Sequence, residues 1–144
     1  MDSGTPGYFE YRAIDPRTPD GPPVVVRFAR DLIVWYYENR SVDYENFRCV
    51  RHVLDNTERI FRGVRDYEEG ELSWWCYTGH PKEWCIRENV FGPFPRRSMV
   101  FAVYLNPNFE LYTFRAEKAD PQQPACPINW RSRYGELIWP KSIS

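Results

Sequence analysis

Met99-Val-Phe-Ala-Val-Tyr-Leu105, then Asn106-Pro107-Asn108-Phe109, then Glu110-Leu-Tyr-Thr-Phe-Arg115 is the stretch that decides the fold. Two runs of β-branched and aromatic residues flank a four-residue loop of turn-forming types, which reads as a β-hairpin. Upstream, Arg59-Ile60-Phe61-Arg62-Gly63-Val64-Arg65 and Leu72-Ser73-Trp74-Trp75-Cys76-Tyr77 are two further strand candidates, with an acidic loop over 66–71 and a stop at Thr78-Gly79-His80-Pro81. Before them Val42, Phe47, Val50, Val53 and Leu54 recur at helical spacing, which predicts an amphipathic helix over 42–54 with Ser41 as N-cap. Asp55-Asn56 ends it, and Thr57-Glu58 can start one short further turn. Val24 to Phe28 is a short strand signal, and 29–39 suits a helix or a strand equally.

The two ends read differently from the middle. Residues 1–23 hold Pro6, Pro16, Pro19, Pro22 and Pro23 and bury too little to offset chain entropy, so a flexible Pro-rich arm is expected there. Pro121, Pro124 and Pro127 mark a loop, and Trp130 to Trp139 is an aromatic tail that packs back. The expectation is an α+β protein: an arm over 1–23, then a single domain over 24–144 with one or two helices on a three- to four-stranded antiparallel β-sheet.

Composition bounds the function classes. At 144 residues, 42% hydrophobic and 27% charged, the chain reads as one soluble globular domain. It has neither an apolar window of the roughly 18 residues a membrane span needs nor a basic-then-apolar start of signal-peptide type. A cytoplasmic location without membrane contact follows as an expectation. The net charge of −1 excludes dependence on bulk positive charge, yet 87–144 carries +3 against −4 for 1–86. Lys82, Lys118 and Lys141 are the three lysines, so the positive charge is nearly all arginine, suited to planar contacts with phosphate or carboxylate. Cys49, Cys76, Cys85 and Cys126 form no close pairs, so no metal site and reduced thiols are expected. P-loop, G-x-G-x-x-G, G-x-S-x-G and H-E-x-x-H are all missing, and no cofactor is expected.

The candidate chemistry lies on the helix and the sheet. His52, at the edge of the helix's apolar stripe, is a general acid or base or else a boundary histidine bonded to a carbonyl. His80 is a turn residue that could face the sheet. Alternation puts Arg59 and Arg65 on one strand face with Phe61 and puts Arg62 on the other; Gly63 next to it would let a ligand approach the backbone. The same rule places Glu110, Tyr112 and Phe114 on one face of the last strand, and Leu111, Thr113 and Arg115 on the other with Glu117, beside Tyr104. A His with Arg, Tyr and Glu on an adjoining sheet is what metal-free RNA cleavage requires, with one group taking the 2′-hydroxyl proton, one protonating the leaving oxygen and a cation stabilising the phosphorane. Exposed aromatics would stack unpaired bases.

Arg51-His52-Val53-Leu54, Thr57-Glu58-Arg59-Ile60 and Tyr112-Thr113-Phe114-Arg115 together resemble the barnase/EndoU/colicin/RelE-like ribonuclease superfamily over about 42–117. That group consists of small metal-free ribonucleases with helices preceding a four-stranded antiparallel sheet. Many are toxins acting on RNA, often tRNA, and many travel with an immunity or antitoxin protein. The resemblance implies His52 as acid/base, with Arg62 or Arg115 as the phosphate-binding cation. Glu117 completes the catalytic candidates, and Arg59, Tyr77, His80, Tyr104 and Tyr112 are the candidate substrate contacts. Ile60-Phe61-Arg62-Gly63-Val64 is similar instead to the first strand of arginine-containing ADP-ribosyltransferases, which would give Arg62-Gly63 to the NAD pyrophosphate and Glu117 to the ribosyl cation. A non-enzymatic reading stands beside both: a Trp/Tyr/Arg-rich partner-binding module of the immunity or inhibitor type.

Overall fold

The computed structural model of the chain describes residues 8–31, 44–80 and 99–140. The decisive hairpin forms as β5 (Met99–Leu105) and β6 (Leu111–Asp120). Asn106 builds its turn: its side-chain Oδ1 accepts from the backbone N–H of Asn108 (2.9 Å) and of Glu110 (3.0 Å), and its Nδ2 donates to Glu110 Oε1 at 3.0 Å. Every residue of β5 is buried, which its near-unbroken apolar run demands, because a strand covered on both faces cannot alternate. The covering comes from a sheet larger than expected. Its order is β7-β6-β5-β4-β3-β8, antiparallel throughout, with β3 at Arg59–Tyr67, β4 at Gly70–Gly79, β7 at Gln123–Pro127 and β8 at Glu136–Trp139.

The α+β class holds, with six strands in place of three or four. The two added strands are β7 and β8, the second formed by the expected aromatic tail, and β3 and β4 are longer than expected. The expected loop over 121–127 contains β7, which tolerates Pro124 and Pro127 because it is an edge strand bonded on one side only. The expected acidic loop over 66–71 is strand almost throughout, and the turn shrinks to Glu68-Glu69. β4 likewise runs through Thr78 to Gly79 instead of stopping at Tyr77.

One face of the sheet packs on α1 (Tyr44–Asp55) and on the hairpin of β1 (Tyr8–Ala13) with β2 (Val24–Ala29). Val50, Val53 and Leu54 of α1 meet Ile60, Tyr77, Phe101 and Val103 there, so the helical spacing seen in the sequence is the buried stripe. Thr57 starts no further turn; its hydroxyl closes α1 by donating to the carbonyls of Val53 (2.9 Å) and Leu54 (3.1 Å). The proposed Ser41 cap and most of 29–39 lie outside the described residues.

Residues 8–23 are not a free arm. They pair as β1 with β2, bury Ala13 and Pro16, and accept a hydrogen bond at Ile14 O from the Tyr77 hydroxyl (2.5 Å). The loop that follows is held by Asp15, which takes a bidentate pair from Arg17 (2.9 and 2.8 Å). That pair holds the Asp15 carboxyl below its usual value.

The other sheet face is covered by the C-terminal segment. α2 (Trp130–Arg133) and the residue after it bring Trp130 and Tyr134 onto Phe61, Cys76, Ala102 and Tyr104. Gly135, at φ +96°, must lack a side chain, because a Cβ there would lie 2.3 Å from the carbonyl oxygen of Arg62. Cys76 and Cys126 are free thiols as expected, whereas Cys49 is disulfide-bonded, so the expectation of fully reduced cysteines fails there. Among the described residues no helix is long and apolar enough to cross a membrane.

Candidate functional site

The face under the C-terminal cover holds the polar cluster of interest. Antiparallel pairing sets Tyr104 opposite Thr113, Ala102 opposite Arg115 and Val100 opposite Glu117. The register shifts between Tyr104 and Leu105, so that Leu105 pairs with Leu111 and Tyr112 is the extra residue. Strict alternation grouped Tyr112 with Phe114 and Leu111 with Arg115, and this bulge overturns it. Leu111 and Phe114 both join the core on the α1 side, while the Tyr112 ring lies 6.0 Å from that of Tyr104.

Four side chains then form a chain of contacts. Tyr134 donates its hydroxyl hydrogen to Glu117 Oε2 at 2.5 Å. Glu117 Oε1 faces Arg115 Nε at 3.4 Å. Arg115 Nη2 donates to the Tyr104 hydroxyl at 3.1 Å, and its guanidinium carbon stands 5.0 Å from the centre of the Tyr104 ring. The Glu117 side chain is 6% exposed and that of Arg115 55%, so a buried carboxylate and two buried phenols present one arginine to solvent. Tyr112, 38% exposed, meets the same Tyr104 ring.

Electrostatics follow burial. Desolvation pushes the Tyr104 and Tyr134 phenols well above their ordinary value, and the nearby Cys76 thiol adds to both. Burial likewise raises Cys76, and the Glu117 carboxylate adds to that shift. Burial lowers Arg115, but its hydrogen bond to Tyr104 and the charges of Tyr104 and Glu117 raise it overall. The phenols and the thiol stay protonated while the arginine stays charged, an arrangement that orients a cation and donates no mobile proton to solvent.

The other candidates fall elsewhere. His52 is on α1, which packs on the opposite face, and its Nδ1 lies 3.2 Å from Asn56 Nδ2. The structure therefore does not bring His52 to Arg115 and Glu117. Arg62 also faces the α1 side: it lies 5.8 Å from the Trp75 ring, which stacks on Phe109 at 6.0 Å, and Arg17 covers Phe109 at 4.9 Å. Tyr77 is a core residue on that face. His80 closes the end of β4, its N–H donating to Glu58 Oε2 (2.8 Å) and its Nδ1 lying 3.1 Å from Met99 O. Arg59 lies near the Cys126 thiol of β7; burial raises that thiol, and the Arg59 charge offsets part of the rise. Gly63 offers no approach to a ligand, because the Trp74 indole fills the space above it.

Tyr104, Tyr112, Arg115 and Glu117 are thus the predicted residues that come together. Tyr134 is the member that sequence reasoning missed; the one signal for it was the aromatic tail, with Trp130 and Tyr134 one helical turn apart. Among the described residues no group of His, Cys, Asp and Glu could hold a metal ion. No protein-family model, no curated protein and no solved structure matches the chain.

Proposed function

We propose that the protein binds single-stranded RNA on the sheet face that carries Arg115, as a member of the small metal-independent ribonuclease type its sequence resembles. The observation that carries this reading is the presented arginine: Arg115 is more than half exposed and fixed by Tyr104 and Glu117, and the exposed Tyr112 ring lies 6.0 Å from the same Tyr104 ring. A fixed guanidinium suits a phosphate, and an exposed phenol suits an unpaired base. The reading is one of binding: Arg115 and the protonated phenols around it supply neither a general base nor a general acid, and His52 is left in a structural role. tRNA is within the substrate class. The ADP-ribosyltransferase reading loses its main support, since Trp74 occupies the space over Gly63.

Binding of a labelled oligouridylate by fluorescence anisotropy tests the reading. Tyr112→Ala should weaken it by about 1–3 kcal/mol, the usual worth of one stacked base. Equal affinity of the parent, Tyr112→Ala and Arg115→Gln proteins would sink the proposal.

A second reading, the partner-binding module, is favoured by a different observation. Val64 (47% exposed) and Leu72 (46%) are the most exposed large hydrophobics described, and they sit at the outer end of the β3–β4 ribbon, one on each of its faces. An immunity or antitoxin protein docking there would leave the Arg115 face open. A cytoplasmic site of action is part of the RNA proposal, and the Cys49 disulfide points to passage through an oxidising compartment first.

A further inference from the structure

We infer that the outer edge of β4, from Gly70 to Trp74, takes up an extended segment of a partner protein as an added strand, one in which basic and apolar residues alternate. The inference deepens the partner-binding reading above and does not depend on RNA. β4 pairs with β3 along its length, but with β5 only from Trp75 to Gly79. The neighbouring strand ends there because the chain turns back at Asn106, whose N–H donates to Glu110 O. Among the described residues nothing pairs with Gly70 to Trp74 on the side away from β3. Every second residue of such an edge directs its N–H and C=O outward, and an extended peptide satisfies both groups.

The side chains specify the segment. Alternation puts Leu72 and Trp74 on one face of β4 and Glu71 and Ser73 on the other. Leu72 is exposed and Trp74 half-buried, so the first face is apolar and open. On the second face Glu71 stands directly across from Asp66, and the turn adds Glu68 and Glu69. Among the described residues no ion pair engages any of these four carboxylates. Like charges at opposed positions cost stability. They also repel a second copy of the same edge and favour a strand of opposite charge. A cation laid beside Glu71 relieves that repulsion. The added strand therefore carries lysine or arginine on the Glu71 face and apolar side chains on the Leu72 and Trp74 face. The outer edge of β3 is the poorer template, because Val64 and Asp66 share one face there and Gly135 crowds Arg62 and Gly63.

The test is binding of a short capped peptide of alternating lysine and valine to the whole protein, read by fluorescence anisotropy and by amide hydrogen exchange. Binding should slow exchange within Gly70–Trp74. The same residues arranged as a lysine block and a valine block, or the alternating peptide N-methylated to remove its backbone donors, should bind about 10-fold more weakly, the reach of two hydrogen bonds. Glu71→Gln should weaken binding by about 2- to 5-fold, the worth of one cross-strand charge pair. Asp66→Lys should weaken it too, although it relieves the repulsion within the ribbon, so a change in stability would not explain the loss. The peptide series leaves the protein untouched and decides even where a variant fails to fold. No binding of the alternating peptide, or binding without protection in Gly70–Trp74, would overturn the inference. Equal binding of the N-methylated or block peptide, with the Glu71→Gln loss intact, would overturn strand addition and leave the ribbon a docking surface. Indifference of every peptide to Glu71→Gln and Asp66→Lys would overturn the partner-binding reading of the ribbon as well.

Discussion

A Cβ on Gly63 would lie 2.0 Å from Cε2 of the Trp74 indole. The two residues face each other across β3 and β4, so the glycine is there for the tryptophan. Gly63→Ala should therefore cost about 1–3 kcal/mol by urea denaturation, as overpacking does. In a Trp74→Ala background the same change should cost almost nothing, since the obstacle is gone. Equal costs in both backgrounds would show that the indole is not what excludes the methyl. At this scale the sequence was legible only in kind. A lone glycine in a strand says that something approaches closely, but not whether it is a ligand or a neighbouring ring. The Trp74 Nε1 hydrogen, buried with no partner among the described residues, adds a local cost that no sequence pattern announces.

Among the elements, β5 was readable because burial on both faces leaves one continuous apolar run, and α1 because its stripe has a helical period. β6 was half readable. Its strand character was plain, but the side on which each residue falls depends on the Tyr104/Leu105 register shift, which alternation cannot see. That shift is what sets Tyr112 beside Tyr104 and so builds the candidate site. β7 hid behind its prolines, whose usual meaning holds for central strands and not for an edge. The outer end of the β3–β4 ribbon, 66–71, hid behind its acidity. Past Trp74 it has no third strand beside it in the pairing, and Asp66 stands directly opposite Glu71 with both side chains exposed. Like charges at opposed positions destabilise a strand pair. Asp66→Lys should stabilise the fold by about 0.2–1 kcal/mol, read as a higher urea midpoint. The gain should shrink as salt is raised. A gain that persists in high salt would assign the effect to packing instead of charge.

The molecule as a whole is a sheet buried on both faces, and each cover locks down a phenol. On the α1 side burial raises Tyr77, whose hydroxyl donates to Ile14 O; on the other side burial raises Tyr104 and Tyr134, together with the Cys76 thiol. All of these groups are neutral when protonated, and in all of them the folded state holds the proton more tightly than the unfolded chain. The unfolded chain releases it at ordinary values, near 9.0 for a thiol and 10.0 for a phenol. Their contribution to stability is therefore complete below about pH 9 and is lost as the pH climbs through those ordinary values toward the raised ones, because the unfolded state then binds fewer protons. Urea midpoints should stay level for these groups up to about pH 9 and fall steeply above it. Tyrosinate absorbance should then show a late stage for the buried Tyr77, Tyr104 and Tyr134 phenols, together with loss of near-UV circular dichroism. A single smooth titration near pH 10 with the near-UV spectrum still native would mean that the phenols reach solvent without unfolding. The covers over the two faces would then be loose, and Tyr104 could not hold Arg115 in place.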